Sequence, residues 1–349
     1  MRKIIITRPG GYGRLQIKEV SMPTPKDNQV LVAVSAAGVN FADIFVRLGL
    51  YKPGKDLVGW PITPGFEFAG HVMKCGPDVA GFEPDMPVLG VTRFGGYATH
   101  VCVPMSQIYP IAANSKFTSD QWAAFPAVFL SAYYGLFHNI VLRPDMQILV
   151  HSAAGGVGGA LLQLGNIAGC RMIGVVGASH KVDVTQELGA RKVIDKSRQN
   201  LWEQARHICP QGFDVIFDAN GPATLKQSYQ YLAPSGKLVA YGFHSMLSIH
   251  FGVANYLKLI WQYFRVPRFS PLKMTRDNRS LIAFNLAYLF DRTDLLQESM
   301  QTLIQWVEQG KIKPPPVHAY AFKDVAQAHQ ALESGTTVGK LILKINTQG

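Results

Sequence analysis

The spacing of apolar residues changes near residue 124 and divides the chain into two kinds of structure. Before that point, short apolar or alternating runs are separated by glycine and proline, which is typical of short strands joined by turns. We predict strands at residues 3–7, 15–20, 29–34, 68–73, 86–90 and 97–103. These strands predict a barrel-like or sandwich-like first domain.

From residue 124 onward, apolar strands alternate with amphipathic helical segments. We predict strands at 148–151, 172–176, 192–194, 214–218, 237–241 and 268–274. Six strands with crossover helices predict a doubly wound parallel sheet of the Rossmann type, and so an α/β fold class. Residues 281–309 are predicted to be mostly helical, 322–332 helical, and 339–345 a last strand that returns to the first domain.

The segment 150–169, VHSAAGGVGGALLQLGNIAG, is predicted to be the end of a buried strand, a glycine turn and an amphipathic helix. Residues with little or no side chain let backbone N–H groups approach a pyrophosphate at the positive helix N-terminus. Ala153 replaces the first glycine of the dinucleotide fingerprint, while Gly155 and Gly158 hold the other two places. The predicted cofactor contacts are Ala154, Gly155, Gly156, Val157 and Gly158. A glycine-rich turn without a ligand is the alternative.

Residues 146–170 carry no charge, so a membrane span must also be weighed. Six glycines together with His151, Gln163 and Asn166 argue against a span. The strand, turn and helix already account for the whole stretch.

The residues after the second predicted strand of this sheet indicate which dinucleotide binds. A sheet that prefers NAD usually has an acid about 20 residues past the fingerprint, where it holds the ribose hydroxyls. Here the strand runs into Gly-Ala-Ser-His-Lys at 177–181 without a carboxylate. Ser179 can donate a hydrogen bond to a 2′-phosphate and Lys181 supplies a cation, so NADP(H) is predicted over NAD(H). An ordinary surface role for Lys181 is the alternative.

Composition indicates a folded chain in a reducing compartment. The 349 residues are 48% hydrophobic and 16% charged, which is a globular profile. The four cysteines are scattered without a CxxC pair, so neither a disulfide framework nor a cysteine-rich zinc site is indicated. The apolar run after Met1-Arg2-Lys3 is too short for a signal peptide, and we expect a cytoplasmic protein.

The formal net charge is +11, and the basic residues are unevenly placed. No acidic residue lies between Asp218 and Asp277, whereas lysine and arginine recur there. This interval is either an anion-attracting surface for phosphates, nucleic acid or acidic lipid, or a solvated basic face. No RNA-binding motif accompanies it, so nucleic acid is not an expected partner.

Several short motifs together resemble one enzyme family. They are Ala-Gly-Val-Asn-Phe-Ala-Asp at 37–43, Gly-Leu-Tyr at 49–51, Pro-Gly-Phe-Glu-Phe-Ala-Gly at 64–70, Phe-Gly-Gly-Tyr-Ala at 94–98, the turn at 153–158 with Gln163, and Val-Gly-Lys at 338–340. With them the chain resembles the zinc-independent quinone oxidoreductases of the medium-chain dehydrogenase/reductase superfamily, and most closely the branch of vesicle amine transport protein homologues. The resemblance implies a GroES-like catalytic domain of residues 1–123 and 280–349, a Rossmann NADP(H)-binding domain of residues 124–279, and a cleft between them.

The resemblance also implies chemistry without a metal. Zinc-dependent relatives carry a cysteine at the position of Gly38 and a histidine at that of Phe66, and a four-cysteine loop that this chain lacks. Without these ligands a tetrahedral zinc site is not expected, and Glu67 is interpreted as a structural residue. Alcohol oxidation then lacks its Lewis acid. Hydride addition to a quinone or another α,β-unsaturated carbonyl fits better, because the protein supplies orientation, hydrogen bonds and a dry site.

By position, the resemblance assigns Asn40, Asp43 and Tyr51 to the catalytic site. Asn40 is expected to bond the nicotinamide ribose or the substrate, and Asp43 to order the local backbone. Tyr51 is expected to donate a proton or hydrogen bond to the reduced acceptor, with an aromatic loop residue as the alternative. Further cofactor contacts are expected from residues near the nicotinamide, the 2′-phosphate and the switch point of the sheet: Ser131, Lys196, Asn220, Gly242 and Phe243.

The leading hypothesis is an NADPH-dependent quinone or enone reductase that forms a homodimer, as the family commonly does. One alternative is an enoyl-thioester reductase, because Tyr51 resembles the proton-donor position of that group. Another is a non-catalytic NADPH-binding protein that acts at a membrane or a partner. Its contact surface would be the basic amphipathic segment 251–268, which instead can cap the cleft or lie at a dimer interface.

Overall fold

A computed structural model describes residues 1–246, 261 and 263–345, and the chain forms two compact units. One unit contains Met1–Leu130 and Leu286–Gly349, and the other contains Ser131–Asn285. The strands of the described residues are β1 (Arg2–Ile5), β2 (Gln16–Glu19), β3 (Gln29–Val39), β4 (Glu67–Cys75), β5 (Pro87–Val91), β6 (His100–Pro104), β7 (Ile108–Pro110), β8 (Gln147–Val150), β9 (Arg171–Val176), β10 (Lys192–Asp195), β11 (Phe213–Asp218), β12 (Leu232–Ala240), β13 (Ser280–Ala283), β14 (Val317–Ala321) and β15 (Lys340–Lys344).

Helices connect most of these strands in the second unit and flank the sheet of the first. The α-helices of the described residues are α1 (Phe41–Arg47), α2 (Lys52–Leu57), α3 (Ser119–Ala123), α4 (Pro126–Tyr133), α5 (Gly156–Ile167), α6 (Val182–Glu187), α7 (Leu201–Ile208), α8 (Leu225–Gln230), α9 (Pro271–Asp277), α10 (Thr293–Glu308) and α11 (Val325–Glu333). None of the described helices combines the length and apolar character that a bilayer span requires.

The first unit is built on a largely antiparallel sheet with the order β14-β15-β3-β4-β5-β7, and β6 pairs with β3. Alternate residues of β3 and β4 face a core that includes Val32, Val34, Phe68 and Tyr97. The pair β14 and β15 runs parallel. The register places the end of β3 between the starts of β4 and β15, because Ala37 pairs with Phe68 and Val39 with Leu341.

The second unit is a six-stranded parallel sheet with the order β10-β9-β8-β11-β12-β13. Counted within this unit, the order is 3-2-1-4-5-6, which is the Rossmann order, and the predicted fold class is confirmed. The order reverses beside β8, so the turns after β8 and β11 flank the switch point where ligands bind in such sheets.

The predicted sixth strand at 268–274 is wrong. Residues Pro271–Asp277 form helix α9, and the edge strand is β13, which begins only at Ser280. Proline occupies the first turn of α9, where its missing N–H costs nothing, and Asn278 ends the helix with a left-handed φ of 51°. The prediction that 281–309 is mostly helical is wrong at its start. Strand β13 extends to Ala283, and helix α10 begins only at Thr293.

The predicted amphipathic segment 251–268 lies largely outside the described residues. Its described part exposes large aromatic side chains, with 55% of Trp261, 68% of Tyr263 and 73% of Phe264 accessible to solvent. The Arg265 guanidinium lies 4.3 Å from the centre of the Trp261 ring, which is a cation–π distance.

Candidate functional site

The turn between β8 and α5 has the geometry of an anion cradle. Ser152 adopts a left-handed φ of 53°, and Gly155 caps α5 with no side chain of its own. A Cβ at Gly158 would lie 2.7 Å from Ala153 Cα and closer still to the Ser152 carbonyl oxygen, so only glycine fits. The first N–H groups of a helix have no intrahelical acceptor, and here they lie in a turn of small residues without an acid. This arrangement fits the pyrophosphate of a dinucleotide.

Asp218 at the end of β11 holds the neighbouring turn in place. Its buried carboxylate accepts the backbone N–H groups of Asn220 at 2.8 Å and Gly221 at 3.1 Å, and the hydroxyl groups of Thr224 at 2.7 Å and Ser228 at 2.8 Å. The Ser152 hydroxyl donates to Asn220 Oδ1 at 3.1 Å. The turns after β8 and β11 are therefore tied together at the switch point.

His151 joins the same network from the end of β8. Its Nε2 lies 3.1 Å from Ser228 Oγ, and its ring is completely buried. Burial lowers the pKa of His151, with the Asp218 charge opposing that effect. The sequence motifs predict no binding or catalytic role for these residues: His151, Asp218, Thr224 and Ser228. The available signal was a carboxylate that ends an apolar strand directly before Ala-Asn-Gly.

The structure corrects the argument from a missing acid. Asp195, at the end of β10, brings a carboxylate to the expected 2′-phosphate contact. The Ser179 hydroxyl donates to Asp195 Oδ2 at 2.6 Å, and Ser197 donates its N–H at 2.9 Å and its hydroxyl at 2.6 Å to Oδ1. These bonds lower the pKa of Asp195 and favour its anion. A hydroxyl has one proton, so Ser179 cannot donate to Asp195 and to a phosphate at once.

Two lysines accompany this carboxylate. Lys181 follows Ser179 in a short 3₁₀ turn and is partly buried, and Lys196 directly follows Asp195. Burial lowers the pKa of Lys181, and the nearby charge of Lys196 lowers it further. Two cations that repel each other are stabilised by a bound anion, which fits a 2′-phosphate.

The other predicted cofactor contacts lie on the same edge of the sheet, with the exception of Ser131. Gly242 and Phe243 follow β12, and a Cβ at Gly242 would lie 2.9 Å from the Ala219 carbonyl oxygen, so this turn packs closely on the turn after β11. Phe243 is 38% exposed. Ser131 lies on α4 and not at a strand end. The carboxyl edge thus gathers residues 154–158, 179, 181, 196, 220, 242 and 243.

A polar cluster in the first unit surrounds Asn40 at the start of α1. Asn40 Nδ2 donates to Glu67 Oε1 at 2.8 Å, and Lys340 Nζ donates to Asn40 Oδ1 at 2.7 Å. Lys340 Nζ also lies 2.6 Å from Glu67 Oε1, and the two side chains are 4% and 0% exposed. The sequence motifs predict no role for Lys340, although the sheet register places it beside the end of β3.

Asp43 is buried and bonded to the backbone at two places. Its carboxylate accepts the N–H groups of Asn40 and Gly65, both at 2.8 Å, and the Tyr97 hydroxyl at 3.1 Å. Burial raises the pKa of Asp43 to about 7 despite these bonds. The Tyr97 hydroxyl lies 3.5 Å from His329 Nε2, and burial lowers the pKa of His329 to about 3.

Tyr51 precedes α2 and lies in a different environment. Its ring packs edge-on against Phe66, with centroids 5.7 Å apart, and against Phe94 at 6.4 Å. Within the described part of the chain, no group of three or more histidine, cysteine, aspartate or glutamate side chains is arranged to hold a metal ion. A Cβ at Gly38 would overlap the Glu67 carboxylate, so this carboxylate fills the space that a side chain at position 38 would need.

Two family models and several known proteins match this chain. The zinc-binding dehydrogenase model matches residues 188–343, and the alcohol dehydrogenase GroES-like domain model matches residues 26–113. The synaptic vesicle membrane protein VAT-1 homolog of Danio rerio is 33% identical, and the match covers 98% of this chain and 69% of that protein.

Solved structures are similar over the whole chain. The human synaptic vesicle membrane protein VAT-1 homolog-like protein has a TM-score of 0.83 and 28% identity, with 100% of this chain and 99% of that chain covered. The Escherichia coli quinone oxidoreductase, solved as a complex with NADPH, has a TM-score of 0.85 and 27% identity, with 99% and 100% covered.

Proposed function

Because this chain belongs to the quinone oxidoreductase-like branch of the medium-chain dehydrogenase/reductase superfamily, we propose that it transfers hydride from NADPH to a quinone or another α,β-unsaturated carbonyl. The cofactor is NADP(H), as predicted, in agreement with the NADPH in the E. coli quinone oxidoreductase. Bound NADPH supplies the hydride. The observation that carries the proposal is the tight turn of small residues at Ser152–Gly158, in which only glycine fits at position 158, with Lys181 and Lys196 on the same sheet edge.

The residues of the second unit bind and orient the cofactor. The N–H groups at the start of α5 bond the pyrophosphate, and the lysine pair bonds the 2′-phosphate. Asp218 fixes the turn after β11 by accepting the Asn220 N–H, and the hydrogen bond from Ser152 to Asn220 ties this turn to the turn after β8. A rigid cradle of this kind fixes where the reactive ring can lie, which is the main contribution a protein makes to hydride transfer.

The residues of the first unit act on the acceptor. Asn40 and Tyr51 donate hydrogen bonds to the carbonyl oxygen on which negative charge develops, and Asp43 holds the start of α1. The reaction needs no zinc ion, since Gly38 and Phe66 supply no ligand and Glu67 is engaged by Lys340 and Asn40. By family analogy the protein acts as a homodimer, and its four scattered cysteines favour a reducing, cytoplasmic compartment.

Anaerobic consumption of NADPH by the purified protein tests this function. 1,4-Naphthoquinone, a simple enone and an enoyl thioester are compared in parallel, each with NADPH and with NADH. We expect turnover with the quinone or the enone, and a clear preference for NADPH. The matched control is the double variant Lys181→Ala/Lys196→Ala, which should lose the preference for NADPH and keep turnover at saturating cofactor.

Three other outcomes would contradict the proposal in whole or in part. Turnover with the thioester alone would identify an enoyl-thioester reductase. Tight NADPH binding without turnover of any acceptor would identify a binding protein. Equal use of NADH and NADPH would contradict the role of the lysine pair.

A further inference from the structure

The environment of Asn40 allows only one orientation of its amide. A side-chain amide offers two N–H donors and one oxygen acceptor. The Lys340 ammonium can only donate, so it requires the oxygen, and the Glu67 carboxylate accepts, so it requires the nitrogen. A rotation by 180° would place NH₂ against the ammonium and oxygen against the carboxylate. Both contacts would then be repulsive, and two charge-assisted hydrogen bonds would be lost.

The pair that holds Asn40 has little freedom of its own. Lys340 Nζ uses all three of its protons, on Glu67 Oε1, on the Val39 carbonyl oxygen at 2.7 Å and on Asn40 Oδ1. Glu67 Oε2 accepts the Ala127 N–H at 2.7 Å. Three donors converge on the two oxygens of Glu67, so a glutamine there must oppose one of them with its own NH₂.

The locked amide keeps one donor for a ligand. Asn40 and Asp43 form a capping box that turns the Asn40 side chain toward the Asp43 backbone N–H. One N–H of the Asn40 amide has no acceptor among the described residues, and Asn40 is only half-buried. We propose that Lys340 and Glu67 are positioning residues that lock the Asn40 amide so that this N–H donates to the carbonyl oxygen of the acceptor. The proposal rests on the proposed reductase function.

The test measures how one double variant changes kcat in the wild-type protein and in the Asn40→Ala protein. The double variant Lys340→Met/Glu67→Gln removes both charges together, which avoids an unpaired buried charge, and neutral replacements of buried pairs are often tolerated. We expect kcat with 1,4-naphthoquinone to fall roughly tenfold or more, because misplacement of a catalytic donor is costly, while the NADPH affinity stays within about twofold. In an Asn40→Ala background, the same double change should leave kcat unaltered, because residues that act only through Asn40 show no further effect once it is gone.

A second buried ion pair in the same unit provides the matched control. Arg47 and Glu333 are 1% and 9% exposed, pair with each other and do not bond Asn40. We expect Arg47→Met/Glu333→Gln to alter the thermal midpoint with little change in kcat. An equal loss of kcat in this control, or an equal loss from the Lys340/Glu67 change with and without Asn40, would overturn the proposal.

A signal that does not depend on turnover separates this inference from the proposed function. In protein labelled with ¹⁵N-asparagine, one Asn40 amide proton should resonate downfield because it bonds a carboxylate, and it should lose this shift in Lys340→Met/Glu67→Gln. Turnover without the downfield proton would overturn the positioning alone. A downfield proton in a protein that reduces no acceptor would overturn the proposed function and the catalytic role of the amide with it.

Discussion

Replacement of Asp195 by asparagine should strengthen NADPH binding and leave NADH binding nearly unchanged. The Ser179 hydroxyl is 2.6 Å from Asp195 Oδ2, so a phosphate oxygen bonded to Ser179 would lie within about 5 Å of this carboxylate. The asparagine side chain would keep an oxygen for Ser197 and turn its NH₂ group toward Ser179, which frees the Ser179 proton for the phosphate.

The size of the effect follows from Coulomb repulsion over this distance. For a phosphate of about two negative charges at about 5 Å, Coulomb's law with the dielectric constant of water corresponds to roughly a fifteenfold lower Kd for NADPH, and the lower effective dielectric constant of a protein surface would enlarge this gain. The assay is titration calorimetry with NADPH and NADH at two salt concentrations. The gain should shrink at high salt, because screening weakens the repulsion that the substitution removes.

Asp183 provides the matched control for this prediction. It is an exposed carboxylate in the first turn of α6, on the helix that follows Lys181. Asp183→Asn removes the same charge without freeing Ser179, so it should change the NADPH affinity much less. The reasoning would be refuted if Asp195→Asn altered both cofactors by the same factor, or if it weakened NADPH.

Three further substitutions test other parts of the two units. Gly158→Val should weaken NADPH binding at least tenfold in titration calorimetry, because the valine Cβ would clash with the Ala153 backbone. Unchanged affinity would contradict the assignment of this turn as the pyrophosphate site. Lys340→Met should cost about 3–5 kcal/mol in urea unfolding, because it leaves Glu67 buried and unpaired, and adding Glu67→Gln should recover most of that loss. Burial raises the pKa of Asp43 from 3.8 to about 7, so the folded state alone is protonated between these values, and the contribution of Asp43 to stability falls as pH rises through them. The stability difference between wild type and Asp43→Asn should therefore shrink by up to about 3 kcal/mol between roughly pH 4.5 and pH 7, and a constant difference in thermal or urea midpoints would contradict the raised pKa.

The residues that favour NADP(H) in the structure differ from those that the sequence rule uses. The sequence lacks an acid after the second strand of the sheet, and NADP(H) follows from that rule. In the structure, Asp195 from the third strand bonds Ser179, so a carboxylate is present after all. The two lysines, and not the absence of an acid, now carry the argument for the 2′-phosphate.

The amino-acid sequence by itself determined the local elements and the class of fold. The small residues at 153–158 specify a tight strand-to-helix turn wherever they occur, and the alternation of strands and helices after residue 124 specifies a parallel sheet. These signals are local, because they depend on residue size and periodicity over a few turns of chain. The sixth strand was misplaced because Pro271 starts a short helix that an apolar run alone does not reveal.

Only the tertiary structure decided which polar groups meet. Asn40 and Lys340 are 300 residues apart in sequence, and strand register alone places both beside Glu67. Ser179 lies in the turn after β9, Asp195 ends the adjacent strand β10, and His151 meets Ser228 through helix α8. No periodicity encodes such contacts, since they depend on strand order and on the cost of burying a charge without a partner.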